Sequence, residues 1–134
     1  MDRVFLDANV LYAAAYREGS PLRRLWQLPG MELWTSGYAA AEALGNLSED
    51  HPERAEELRR LVSLLRMTTG EEGEAALPEG VSIADKDRPI LAAAIRAQAR
   101  YLLTGDKAHF GPYFGQVVGG VCILTPAQFL AAKR

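Results

Sequence analysis

The chain has a single cysteine, Cys122, among its 134 residues, which excludes a disulfide framework. Set in the apolar run Gly120 to Leu124, that thiol is expected to be buried. No stretch approaches the roughly 18 consecutive apolar residues of a membrane-spanning helix, and Met1-Asp2-Arg3 leads into no signal-peptide core. The expected location is the cytoplasm, with no membrane partner. A surplus of positive charge is also missing: 15 Lys and Arg stand against 17 Asp and Glu, a formal net charge of −2. Non-specific nucleic-acid binding through bulk charge is thereby excluded. Because 12 of the 15 basic residues are Arg, whose guanidinium grips phosphate with two parallel hydrogen bonds, a local phosphate-binding patch stays open. Internal repeats and low-complexity tracts are absent. With 49% hydrophobic and 24% charged residues, the composition is that of a globular chain, and the length bounds it to one domain over residues 1–134.

What the chain does have is an alternation of short apolar runs with helical periodicity. Val4-Phe5-Leu6 reads as a buried parallel strand that stops at Asp7. Asn9 reads as the cap of a helix from Val10 to about Tyr16, and Ser20-Pro21 opens another with the apolar face Leu22, Leu25, Trp26 and Leu28. Glu32 to Thr35 gives a second strand, and Ser36 starts an alanine-rich helix through about Leu47 with Glu42 at its middle. His51-Pro52 introduces a helix over 53–66, on which Leu58, Leu61, Val62 and Leu65 recur at helical spacing. Residues 70–80 read as an acidic, mobile loop flanked by a short strand near 67–69. A helical period over 89–99, strands at Tyr101 to Thr104 and Val121 to Leu124, and a helix opened by Pro126 complete the chain. This order predicts an α/β fold: a three-layer α/β/α sandwich around a parallel sheet.

Only six aspartates occur, and four of them, Asp7, Asp85, Asp87 and Asp106, are expected at strand-to-helix junctions. In open α/β sheets ligands bind outside the carboxyl ends of the strands, so Asp7 and Asp106 share one crevice if their strands are neighbours. Carboxylates gathered beside an apolar core resist ionisation unless a cation neutralises them, and oxygen donors select Mg²⁺ or Mn²⁺. Helix capping competes as the role of each aspartate and is preferred for Asp85. Glu42, ringed by small apolar residues, is expected to be buried and to need a partner, with a helix residue that simply reaches solvent as the alternative. Asn9 and Thr104 flank the acids as possible supporting hydrogen-bond groups. His109 beside Phe110 reads as a packing or surface residue, while Lys107 and Arg88 read as solvated charges or orienters of phosphate.

Phe5-Leu6-Asp7-Ala8-Asn9-Val10-Leu11, the helix around Glu42, Asp87-Arg88-Pro89-Ile90-Leu91 and Leu103-Thr104-Gly105-Asp106 resemble the successive motifs of PIN-domain ribonucleases. The resemblance spans nearly the whole chain and implies a parallel α/β/α sandwich and hydrolysis of single-stranded RNA. Carried over motif by motif, the catalytic and metal-binding acids are Asp7, Glu42, Asp87 and Asp106, holding Mg²⁺ or Mn²⁺. The VapC-like toxins of toxin–antitoxin pairs belong to this superfamily, so an antitoxin partner and a homodimer formed through the first helices are further implications. The stretch from Thr104 onward, with His109-Phe110, is similar to a branch in which a His-Phe pair follows the last acid, a departure from the best-studied toxins. Two alternatives stand beside it. Asp7-Ala8-Asn9 after a first strand also resembles the nucleophile loop of haloacid-dehalogenase-like phosphatases, where Asp7 would form an aspartyl-phosphate; that loop has a second acid where this chain has Asn9. The other is a catalytically inactive PIN module that binds protein.

Overall fold

Among the described residues, five of the six strands run in one direction, because the connections between them are long enough to carry helices rather than tight turns. The structure, a computed structural model, describes residues 1–68 and 77–133. Strand β1 (Asp2–Leu6) leads into α1 (Ala8–Ala15), a 3₁₀ segment (Pro21–Gln27) and β2 (Met31–Thr35). Helices α2 (Gly37–Asp50) and α3 (Ala55–Ser63) precede β3 (Arg66–Met67), and α4 (Arg88–Arg96) precedes β4 (Tyr101–Leu103). The short α5 (Lys107–Phe110), β5 (Val117–Val118), β6 (Val121–Leu124) and α6 (Pro126–Ala132) follow. The sheet order is β3-β2-β1-β4-β6-β5. Connections leading from β1 through β2 to β3 move one way across the sheet and those to β4 and β6 move the other way. Right-handed crossovers put them on opposite faces, which makes the three-layer sandwich.

β1 lies at the centre between β2 and β4, with Leu6 opposite Leu103. Val4, Phe5 and Leu6 are fully buried, as a strand covered on both faces requires. Their removal from water, together with Leu102, Leu103, Leu11, Leu47 and Ile90, supplies the apolar core that fixes the strand ends.

Several expectations change. Asp7, not Asn9, caps α1, its side chain accepting the Ala8 N–H, so the helix begins two residues earlier. The Ser20-Pro21 segment is 3₁₀, and Leu25 is buried while Trp26 donates its Nε1–H to the Leu61 carbonyl at 3.1 Å. The apolar face of Leu22, Leu25, Trp26 and Leu28 therefore packs largely on the chain's own core and is not left free to pair two copies. Helix α3 stops at Ser63, not at residue 66, because Arg66 joins β3 opposite Trp34. Helix α4 stops at Arg96 because Gln98 takes φ 56° and the Ala99 N–H bonds back to the Ala94 carbonyl, closing the helix end with a left-handed residue. β5 pairs antiparallel with β6, a hairpin that breaks the strict alternation. Cys122 is half-buried: along β6 burial alternates, with Val121 and Ile123 facing inward. Most of the acidic loop expected over 70–80 lies outside the described residues. Among the described residues no helix is long and apolar enough to cross a membrane.

Candidate active site

Asp7 is the first residue after β1, and its backbone N–H continues the sheet pairing by bonding to the Leu103 carbonyl of β4 at 3.0 Å. The neighbouring strand then supplies Thr104, Gly105 and Asp106 at the same edge. Asp7 is 3% exposed and Thr104 is fully buried. The Asp7 carboxylate accepts from Ala8 N–H at 2.6 Å through Oδ1, and from the Thr104 hydroxyl at 2.8 Å and Asn9 Nδ2 at 3.2 Å through Oδ2. Thr104 Oγ1 also accepts the Asp106 N–H at 3.1 Å, so one hydroxyl links the first acid to the backbone of the last. Asn9 ties the two strand ends together from outside, donating to Thr104 Oγ1 at 3.2 Å and accepting from Gly105 N–H at 2.8 Å. Its amide is a bridge rather than a helix cap.

Burial holds the Asp7 carboxyl at about 6, above its usual 3.8; the bonds from Thr104 and Ala8 oppose this, and the charges of Asp87 and Glu42 add to it. Burial also raises Asp87, with the Asp106 charge adding and nearby His109 and Lys86 opposing. Asp87 ends a 3₁₀ turn, Asp85–Asp87, that opens α4. Neither Asp85 nor Asp87 follows a strand or caps α4 with its side chain, and Asp85 is exposed, so the junction and capping expectations for this pair do not hold.

Asp87 and Asp106 meet at His109. Its Nδ1 is 2.6 Å from Asp106 Oδ2 and 2.8 Å from Asp87 Oδ2. One ring nitrogen carries at most one hydrogen and so serves at most one of the two acids; its hydrogen-bond contact is with Asp106, and the buried Asp87 Oδ2 has no hydrogen bond among the described residues. The three residues place one ligand atom each within 4.8 Å of one another. Asp106 also accepts the His109 backbone N–H at 3.1 Å, the cap of α5, which is why the i, i+3 spacing returns the ring onto the acid. That spacing, an aspartate at a helix start followed three residues later by His, is the signal in the sequence for a residue otherwise expected to serve packing.

Glu42 is exposed, contrary to the expected burial, because α2 turns Ala39, Ala43 and Leu47 inward and leaves position 42 on its outer side. Its charge still reaches Asp7, and it acts with Asp87 and Asp7 on Tyr38, whose phenol is raised first by burial and then by these three carboxylates. The Tyr38 hydroxyl donates to the Lys86 carbonyl at 2.8 Å, pinning α2 to the turn that carries Asp87. The sequence offers no signal for that contact beyond the proximity of Tyr38 to Glu42.

The chemistry of this donor set fits a hard divalent cation: several carboxylates, one with an unbonded buried oxygen and one raised by burial, are stabilised by positive charge and offer oxygen ligands.

The model of the PIN domain matches residues 3–108, and the chain belongs to the PIN domain family. The haloacid-dehalogenase resemblance of Asp7-Ala8-Asn9 therefore does not give its family. Among solved structures, the chain is similar to VapBC2 from Rickettsia felis bound to a DNA fragment from their promoter, at 16% identity and TM-score 0.67, over 92% of this chain and 98% of that one. It is similar to VapBC-1 from nontypeable Haemophilus influenzae at 16% identity and TM-score 0.60, over 93% and 98%. A third is VapC20 of Mycobacterium tuberculosis, a Sarcin-Ricin loop cleaving toxin, at 18% identity and TM-score 0.58, over 78% and 92%. At such identities the likeness is one of fold. No curated protein matches the chain.

Proposed function

We propose that this PIN domain chain is a divalent-metal-dependent endoribonuclease of single-stranded RNA, one nuclease domain over residues 1–134, acting in the cytoplasm as the toxin of a toxin–antitoxin pair. The observation that carries the reading is the buried Asp87 oxygen without a hydrogen bond, beside Asp106 and His109 at the strand ends where Asp7 is also held. Folding gains nothing from such an oxygen; an unsatisfied buried group costs about 1–3 kcal/mol.

In this reading Asp7, Asp87 and Asp106 hold Mg²⁺ or Mn²⁺, and exposed Glu42 completes the acidic set from the rim. The bound ion supplies Lewis-acid neutralisation of the scissile phosphate and activation of water. Thr104 and Asn9 fix the Asp7 carboxylate in one orientation, and His109 holds Asp106 through its Nδ1. The protein's hydrogen bonds to Asp7 fall mainly on Oδ2, which accepts from Thr104 and Asn9, while Oδ1 accepts only from Ala8 and keeps a lone pair for an ion. The named toxin and the VapBC assemblies among the similar structures support a toxin role and an antitoxin partner; pairing of two copies now rests on the family resemblance alone.

The deciding experiment offers fluorescent single-stranded RNA and a phosphatase substrate, each with Mg²⁺, Mn²⁺ or a chelator. RNA cleavage with metal, none with chelator and no phosphatase turnover are expected. Phosphatase turnover without RNA cleavage overturns the reading. A short neighbouring reading frame for a DNA-binding protein whose co-expression suppresses cleavage is the expected antitoxin.

A further inference from the structure

A groove of about 760 Å³ runs from Asn9 and Asp106 towards the start of α6, with Lys107, Phe114 and Gln128 among its walls. Asn9 and Asp106 belong to both the groove and the acidic site, so an RNA strand with a phosphate at the carboxylates leads its neighbouring nucleotide into this space.

Two of the wall residues carry more chemistry than folding uses. Gln128 Oε1 accepts the Thr125 N–H at 2.9 Å while the Gln128 N–H bonds Thr125 Oγ1 at 3.1 Å, the reciprocal capping box of α6. Glutamate serves that box equally well. With the amide oxygen engaged, what Gln128 offers the groove is its Nε2 donors. Phe114 is half-buried and packs against the core, a role that aliphatic bulk would fill, yet the side chain that also lines the groove is aromatic. Lys107 is exposed and adjacent to Asp106.

We infer that this groove is a nucleotide subsite that reads one base beside the cut: the base stacks on Phe114, an acceptor on its edge takes a hydrogen bond from Gln128 Nε2, and Lys107 meets the flanking phosphate. The inference rests on the ribonuclease reading. Single-stranded RNA is recognised in this way because its unstacked bases present both a π-face and a hydrogen-bonding edge. The groove volume falls in the range of small-ligand sites.

The test uses a pool of fluorescent single-stranded RNAs randomised around the cut, with Mn²⁺, and compares the parent with Phe114→Leu, Phe114→Trp and Gln128→Glu, each checked by thermal melting. Phe114→Leu is expected to raise KM about tenfold, about 1.4 kcal/mol, with the loss on KM rather than kcat, and Phe114→Trp to restore it. Gln128→Glu keeps the helix cap and the melting temperature but shifts base preference at one flanking position; charge alone would weaken every sequence equally. Cleavage by the parent with KM and flanking preference unchanged in Phe114→Leu and Gln128→Glu overturns the subsite and leaves the ribonuclease reading intact. Absence of cleavage by the parent with either metal overturns both.

Discussion

Helices α1 and α2 both start at the end of a parallel strand and both are capped by a buried side chain, yet the two caps differ in kind. Ser36, fully buried, accepts the Ala39 N–H at 3.1 Å with a neutral hydroxyl. Asp7, 3% exposed, accepts the Ala8 N–H at 2.6 Å with a carboxylate that burial holds at about 6. A hydroxyl caps a helix nearly as well as a carboxylate does and carries no charge-burial cost. What aspartate adds at position 7 is a negative charge and a second oxygen, and neither is needed to start a helix. Under the proposed function that excess, which Asp106 repeats where its carboxylate caps α5, separates a junction that serves folding alone from one that also holds an ion.

The largest effect should come from removing the charge while keeping the shape. Asp7→Asn is expected to lower Mn²⁺-dependent RNA cleavage about a thousandfold, since a lost metal ligand removes several kcal/mol of transition-state stabilisation, while circular dichroism shows a folded protein. Full cleavage by the variant would reduce Asp7 to a cap like Ser36.

Next in size is stabilisation by metal. A ligand that binds only the folded state adds about 2.7 kcal/mol at a hundredfold excess over its Kd. The parent's melting temperature should therefore climb with Mn²⁺ concentration, and that of Asp7→Asn much less. Equal shifts in the two proteins place the ion elsewhere.

Much of this contrast is open to sequence reasoning, and its limits have physical causes. The strand runs Val4 to Leu6 and Tyr101 to Leu103 are legible because strands buried on both faces are continuously apolar. Asp7 and Asp106 follow from them. Glu42 is misplaced because alanine neighbours describe both faces of its helix, and only the packing direction of α2 decides which is buried. His109 is only half legible: its contact with Asp106 follows from the i, i+3 spacing, but its contact with Asp87, 22 positions earlier, is encoded by no local pattern. The β5–β6 hairpin stays hidden because two residues are too few to show an alternation.

pH separates the caps further. The folded form of the metal-free parent binds the Asp7 proton more tightly than the unfolded chain, so parent stability falls as pH rises from about 4 to about 6. The full displacement from 3.8 to about 6 corresponds to about 3 kcal/mol. Asparagine returns part of that gain, because its amide N–H₂ then faces the donor Nδ2 of Asn9. Asp7→Asn is expected to exceed the parent by about 1–2 kcal/mol at pH 7.5 in urea titrations with chelator, and to lose that advantage by pH 4.5. An advantage independent of pH would mean that charge burial is not its source.

Ser36→Ala should give the smallest effect and the opposite sign. It leaves the buried Ala39 N–H without its acceptor and costs about 1 kcal/mol of stability. No ionisation is involved, so the loss should be the same at pH 5 and pH 7.5. Nor does Ser36 hold an ion, so the Mn²⁺-induced rise in melting temperature should match the parent's. Should Ser36→Ala blunt that rise as Asp7→Asn does, the two junctions are coupled through α2 and Tyr38, and the division between a folding cap and a ligand-holding cap fails.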